Sequence, residues 1–99
     1  MSFLVVVSFD IKDASSKDYE NLYNSFEKIG LKRSVKADDG KLYNVPTTTT
    51  VVGEFTGQTS AKVRDDLREL VKTAYRINKL TGDFFINVGN NWTWTISSV

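Results

Sequence analysis

Asp10 stands where an apolar run ends, in the string Ser8-Phe9-Asp10-Ile11-Lys12-Asp13, and it is the position best suited to chemistry in this chain. A carboxylate at the exit of a strand can ligate a hard cation such as Mg²⁺ through oxygen, with Asp13 as a further donor. In a symmetric dimer two copies of Asp10 could share one ion near the twofold axis, and the ion would activate water, which makes Asp10 the candidate catalytic residue. The competing reading, which spacing alone favours, is that Asp10 or Asp13 opens the loop by accepting backbone N–H bonds. Cysteine and histidine are both absent, which excludes disulfides, thiolate nucleophiles, Cys/His zinc sites and every imidazole base or triad.

Phosphate binding needs cations, and these come in two groups. Lys28, Lys32, Arg33, Lys36 and Lys41 form a cluster opposed nearby only by Asp38 and Asp39, and they are the expected nucleic-acid contacts. Arg64, Arg68, Lys72 and Arg76 recur every fourth residue and would climb one side of a helix, but Asp65, Asp66 and Glu69 lie among them, as on an ordinary solvated face. Thirteen basic against twelve acidic residues leave a net charge of +1, so the whole-chain balance favours no partner. Trp92 and Trp94 share a face and can stack bases, although such pairs more often bury against a partner or under their own sheet. The glycines of Gly53-Glu54-Phe55-Thr56-Gly57 lack the Lys-Ser/Thr of a nucleotide loop, and no small-molecule cofactor is expected.

The elements that must position these residues follow from hydrophobic period. Phe3 to Phe9 is a valine-rich strand, apolar on both faces. Ser15 or Ser16 caps a helix whose Tyr19, Leu22, Tyr23, Phe26 and Ile29 make one apolar stripe, closed by Gly30. Leu31 to Ala37 and Lys41 to Val45 read as a hairpin across Asp38-Asp39-Gly40, and Thr47 to Phe55 as a strand. Thr59 or Ser60 caps a second helix with Val63, Leu67, Leu70, Val71, Ala74 and Ile77 on its apolar face, ending at Thr81-Gly82. Asp83 to Val88 is a further core strand, and the alternating Trp92-Thr-Trp-Thr-Ile-Ser97 predicts a last one.

A chain of 99 residues holds one domain, residues 1–99. The order of its elements predicts an α+β, ferredoxin-like split βαβ fold, an antiparallel sheet with two helices on one face and an extra C-terminal strand. Two helices cover one side only, while the first strand is apolar on both. We therefore expect a second copy stacked sheet to sheet as a homodimer, unless the 31–45 hairpin or the tail folds back within one chain. The opening ten residues have an apolar run too short to span a bilayer and no basic leader, so the expectation is a cytoplasmic protein without a membrane partner.

The opening FLVVVSFDIKD, the helix ending KIGLKR, the strand ending VVGEFTG and the charged helix beginning TSAKVRDDL together resemble the small CRISPR-associated endoribonuclease and integration-scaffold family, the second of the Cas proteins. The start is similar also to the GhoS-type antitoxin RNase. The resemblance implies a ferredoxin-like homodimer associated with RNA or DNA, with metal-dependent phosphodiesterase activity proposed for some members. Phe9 and Asp10 match the aromatic-Asp motif at the end of the first strand, Asp13 matches the further acidic residue, and Glu54-Phe55 matches the second motif in inverted order. The chain departs from that pattern in a longer 31–46 segment, a missing arginine early in the first helix and a shorter tail. Two expectations follow: a Cas-two-like or antitoxin-like Mg²⁺-dependent endoribonuclease, or a non-enzymatic homodimeric module that binds a protein or nucleic-acid partner. The motif favours the first for family; a lone carboxylate per protomer favours the second for activity.

Overall fold

The hydrophobic pattern of Ser2–Phe9 resolves into two unequal faces once the chain is folded. In the computed structural model, which describes residues 1–99, Phe3, Val5, Val7 and Phe9 of this strand, β1, are buried, while Leu4 and Val6 are half-buried. β1 is the middle of a ladder in order β4-β1-β5, with β4 at Thr50–Thr56 and β5 at Phe84–Gly89, both antiparallel to it. Val7 lies between Val51 and Ile86, and Val5 between Gly53 and Val88, so one face gathers apolar side chains from all these strands.

Two helices cover that face. α1, Ser16–Ile29, starts with a complete capping box in which Asp18 N–H donates to Ser15 Oγ and Ser15 N–H donates to the Asp18 carboxylate, and it stops at Gly30 in the left-handed conformation, φ 105°. α2, Ser60–Ile77, is capped by Thr59, and Asn78 ties it to α1 by donating to Ser25 Oγ and to the Ala74 carbonyl. The core between helices and sheet holds a run of aromatic rings. Phe9 stands edge-on to Phe26 at 5.1 Å between centroids, Phe26 meets Tyr75 at 6.4 Å, and Tyr75 meets Phe84 at 5.9 Å.

The hairpin forms with shorter strands than the sequence suggests, β2 at Ser34–Lys36 and β3 at Leu42–Asn44. Gly40 turns it at φ 83°, and its hydrogen bonds continue outward to Val45 N–H on the Arg33 carbonyl. Lys32 and Val52 exchange both backbone bonds at 2.8 Å, which attaches the hairpin beside β4. The spatial order β2-β4-β1-β5 is that of the ferredoxin-like α+β fold.

Three expectations need correction. The extra C-terminal strand is absent: residues 92–99 join no ladder, because the turn at Asn90 and Asn91, the latter at φ 51°, sends the tail away from β5 so that Trp92 and Trp94 lie beside Leu4 and Val52. α2 ends at Ile77, before Thr81-Gly82, where Asn78 takes over the capping. Its buried residues are Val63, Leu67, Val71, Ala74 and Tyr75, while Leu70 and Ile77 are exposed at the margin of the stripe.

Phe26 is fully buried and touches the rings on both sides of the core. Truncating Phe26→Ala is expected to cost about 3–5 kcal/mol, measurable as a lowered urea midpoint with little change in slope.

Candidate nucleic-acid interface

The end of β1 and its open face present two separate sets of polar residues. At the end of β1, the backbone of Asp10 to Lys12 runs against residues 81–83: Asp10 N–H donates to the Asp83 carbonyl at 2.9 Å and Lys12 N–H to the Thr81 carbonyl at 2.8 Å. The Asp10 carboxylate accepts from Asp83 N–H at 2.7 Å. Gly82 is required between them, since a Cβ there would sit 2.2 Å from the Asp10 carbonyl oxygen. From below, the Tyr75 hydroxyl donates to that same carbonyl at 2.5 Å. Asp10 is thus a clamp between strand ends, and its carboxylate does the backbone-accepting work expected of an acidic turn residue.

Asp13 lies in the left-handed region at φ 52° on the exposed loop beyond the clamp. Asp83, which sequence reasoning passed over, shares a shallow depression with Asp10, Ser8 and Phe85. No group of three or more acidic side chains converges to hold a metal ion, and one Asp10 oxygen is already committed to a backbone N–H, so the donors of one chain do not amount to a built Mg²⁺ site.

The basic cluster divides. Lys32 and Lys36 line a groove of about 370 Å³ on the open side of the sheet, together with Leu4, Val35, Leu42, Val52, Trp92 and Trp94. Lys32 is bridged to Val52, whose side chain points away from the helices, and after a bend at Arg33 the strand Ser34–Lys36 brings Lys36 to the same groove. Trp94 meets Tyr43 of the hairpin at 6.1 Å, edge to face. Glu54 also lines the groove, and Asp38 stands at its mouth beside Trp92 and Trp94. Arg33 sits instead over the ring of Tyr23, 4.5 Å from its centroid, in a neighbouring depression. Lys28 lies in the last turn of α1, where a cation complements the helix dipole, and Lys41 follows the hairpin turn; neither lines the groove.

Ion pairing separates these cations from those of α2 except Arg76, which is also unpaired. Along the second helix Lys62 pairs with Asp66, Arg64 and Arg68 with Asp65, and Arg68 and Lys72 with Glu69, all at 2.9–3.8 Å. Lys32 and Lys36 take part in no ion pair, so their ammonium groups are free for an anion. The candidate acid and the candidate groove lie apart: Lys32 is bridged to Val52, which lies opposite Val6, so it stands four residues along β1 and two strands across from Asp10, roughly 16 Å. Sequence reasoning saw the lysines and the tryptophans but had no signal that the tail would bring them together, because that contact depends on where the chain goes after Asn91.

Burial, and secondarily the charge of Asp10, push the Tyr75 hydroxyl above its ordinary value of about 10. The neutral donor is therefore favoured by folding: its stabilisation is complete below pH 10 and is lost as pH rises from there through the folded-state value. Thermal melts are expected to show this alkaline decline, and Tyr75→Phe to remove it while costing about 1 kcal/mol at neutral pH. Asp10→Ala is expected to lower stability by about 1 kcal/mol and Asp10→Asn, which keeps an acceptor for Asp83 N–H, by much less; urea titration of both variants checks this.

Comparison of the chain with protein-family models and with characterised proteins finds no match.

Proposed function

We propose that this protein binds single-stranded nucleic acid in the groove between its hairpin and its tail. The observation that carries the reading is the meeting of two unpaired lysines, Lys32 and Lys36, with two tryptophans, Trp92 and Trp94, in one groove. Cations that track phosphates beside aromatic faces that stack bases are the physical requirements for holding an unpaired strand. Duplexes are a poorer match, since their bases are already stacked. Glu54 and Asp38 place negative charge close by, which disfavours deep insertion of a phosphate between them and leaves the lysine side of the groove as the backbone track.

The non-hydrolytic module is the reading that this geometry favours. The Mg²⁺-dependent endoribonuclease rests on the resemblance at Phe9 and Asp10, and Asp10→Asn is its decisive variant, because it keeps the clamp and removes the charge. RNA cleavage that is lost both with EDTA and in Asp10→Asn would establish the nuclease; the binding module is expected to show none.

Both tryptophans of the chain lie in the groove, so intrinsic fluorescence reports on it selectively. Titration with a single-stranded RNA oligonucleotide is expected to quench the emission, with a slope of log affinity on log salt of about −1.4 for two phosphates. Trp94→Ala should weaken binding by about tenfold, and Lys32→Glu with Lys36→Glu should abolish it. Unaltered affinity in the lysine double variant would refute the reading.

A further inference from the structure

β5 is the outer strand of the main ladder, and its register shows which of its backbone groups are unused. Asp10 and Asp83 are a hydrogen-bonded pair, so the pairs Ser8–Phe85 and Val6–Asn87 that follow at every second residue are also bonded. The N–H and C=O groups of Phe84, Ile86 and Val88 consequently point away from β1, and no other part of the chain bonds them. Native sheets usually guard such an edge with lysine, proline, a bulge or a very short strand. At the other end of the order that guard is present, in the three-residue β3 between Lys41 and Pro46. β5 is six residues long, contains no proline and carries no charge.

The surroundings of this edge are apolar on both sides of the sheet. Phe85 is 66 % exposed on the open face. On the helix side, Tyr75 and Asn78 turn toward α1, meeting Phe26 and Ser25. Leu70 and Ile77 lie roughly 140–160° around α2 from Tyr75, on the flank away from α1, and are 44 % and 70 % exposed. α2 packs over β5, so this flank overlooks the free edge.

We infer that β5 is the contact between two copies of this chain, paired antiparallel about a twofold axis through Ile86. The edge is complementary to itself. Ile86 meets its own counterpart in a doubly bonded pair, Phe84 meets Val88, and Phe85 lies opposite Asn87, with no charge opposed by a like charge anywhere along the strand. The flanks of the two α2 helices then face each other with Leu70 and Ile77, and one sheet runs through both copies. This twofold axis is perpendicular to the sheet, so the open faces lie on the same side. The contact stands independently of what the groove binds, and it differs from a sheet-to-sheet stack, which would leave the β5 edge unpaired.

The contact is small, so its strength is in the weak range, and the test spans roughly 5 to 500 μM of the purified chain. Sedimentation should show a monomer passing to a dimer over that range, and amide exchange followed by NMR should slow about tenfold or more at Phe84, Ile86 and Val88 when the dimer predominates. A chain carrying Phe85→Lys with Asn87→Lys should remain monomeric, as should one carrying Phe85→Glu with Asn87→Glu, and mixing the two should restore a dimer. A monomer throughout the range overturns the inference. So does a dimer in which those three amides exchange as freely as in the monomer, or one that survives in the lysine chain alone.

Discussion

A strand that is apolar on both faces has to be covered on both, and most of this molecule is arranged to meet that requirement for β1. The helices satisfy it on one side, where Phe3, Val5, Val7 and Phe9 enter a core lined by α1 and α2. On the other side the ferredoxin-like order supplies no helix. The tail and the hairpin take up part of that work, placing Trp92, Trp94, Val35 and Leu42 around Leu4 and Val52. The cover is incomplete, and the incomplete cover is the groove. The tail, half-buried at Trp92 and Trp94, lies over the open face instead of pairing beside β5, and that edge is left free.

The same strand explains why acid and base are kept apart. Asp10 is held at the far end of β1 by Asp83 N–H, by the close passage of Gly82 and by Tyr75 below, all of which fasten the last loop to the first strand. The lysines belong to the hairpin that joins the sheet through Lys32 and Val52, level with Val6 in the middle of β1 and two strands away from it. One phosphate cannot meet both sets in a single chain. The resemblance to CRISPR-associated endoribonucleases rests on the acid, whereas the features suited to holding a strand are at the lysines, and this division is what turns the functional reading toward binding.

Local signals in the sequence were sufficient wherever structure is decided locally. Ser15 and Asp18 close their capping box, Gly30 takes the left-handed turn at the end of α1, and the valine-rich run of β1 forms the central strand. Long-range contacts were not legible. Tyr75 was passed over because its burial depends on a loop 65 residues earlier in the chain, through the Asp10 carbonyl. Ile77 fits the helical period yet is exposed, at the last residue of α2. The tail alternates like a strand, and periodicity cannot tell a strand in a ladder from an extended segment laid across a sheet. The lysine cluster was visible as a run of charge, but its division between groove, Tyr23 ring and helix end was set by strand pairing.

The central claim is that the groove, and neither the α2 stripe nor the Asp10 clamp, receives nucleic acid. Mapping of backbone and indole resonances on isotopically labelled protein, with a short single-stranded RNA added stepwise, tests it most directly. Shifts concentrated at the Trp92 and Trp94 indoles, at Lys32, Lys36 and Val52, with Arg64 to Arg76 and Asp10 unmoved, are the predicted result. Shifts that gather on α2 or around Asp10 and Asp83, leaving both indoles in place, would contradict it.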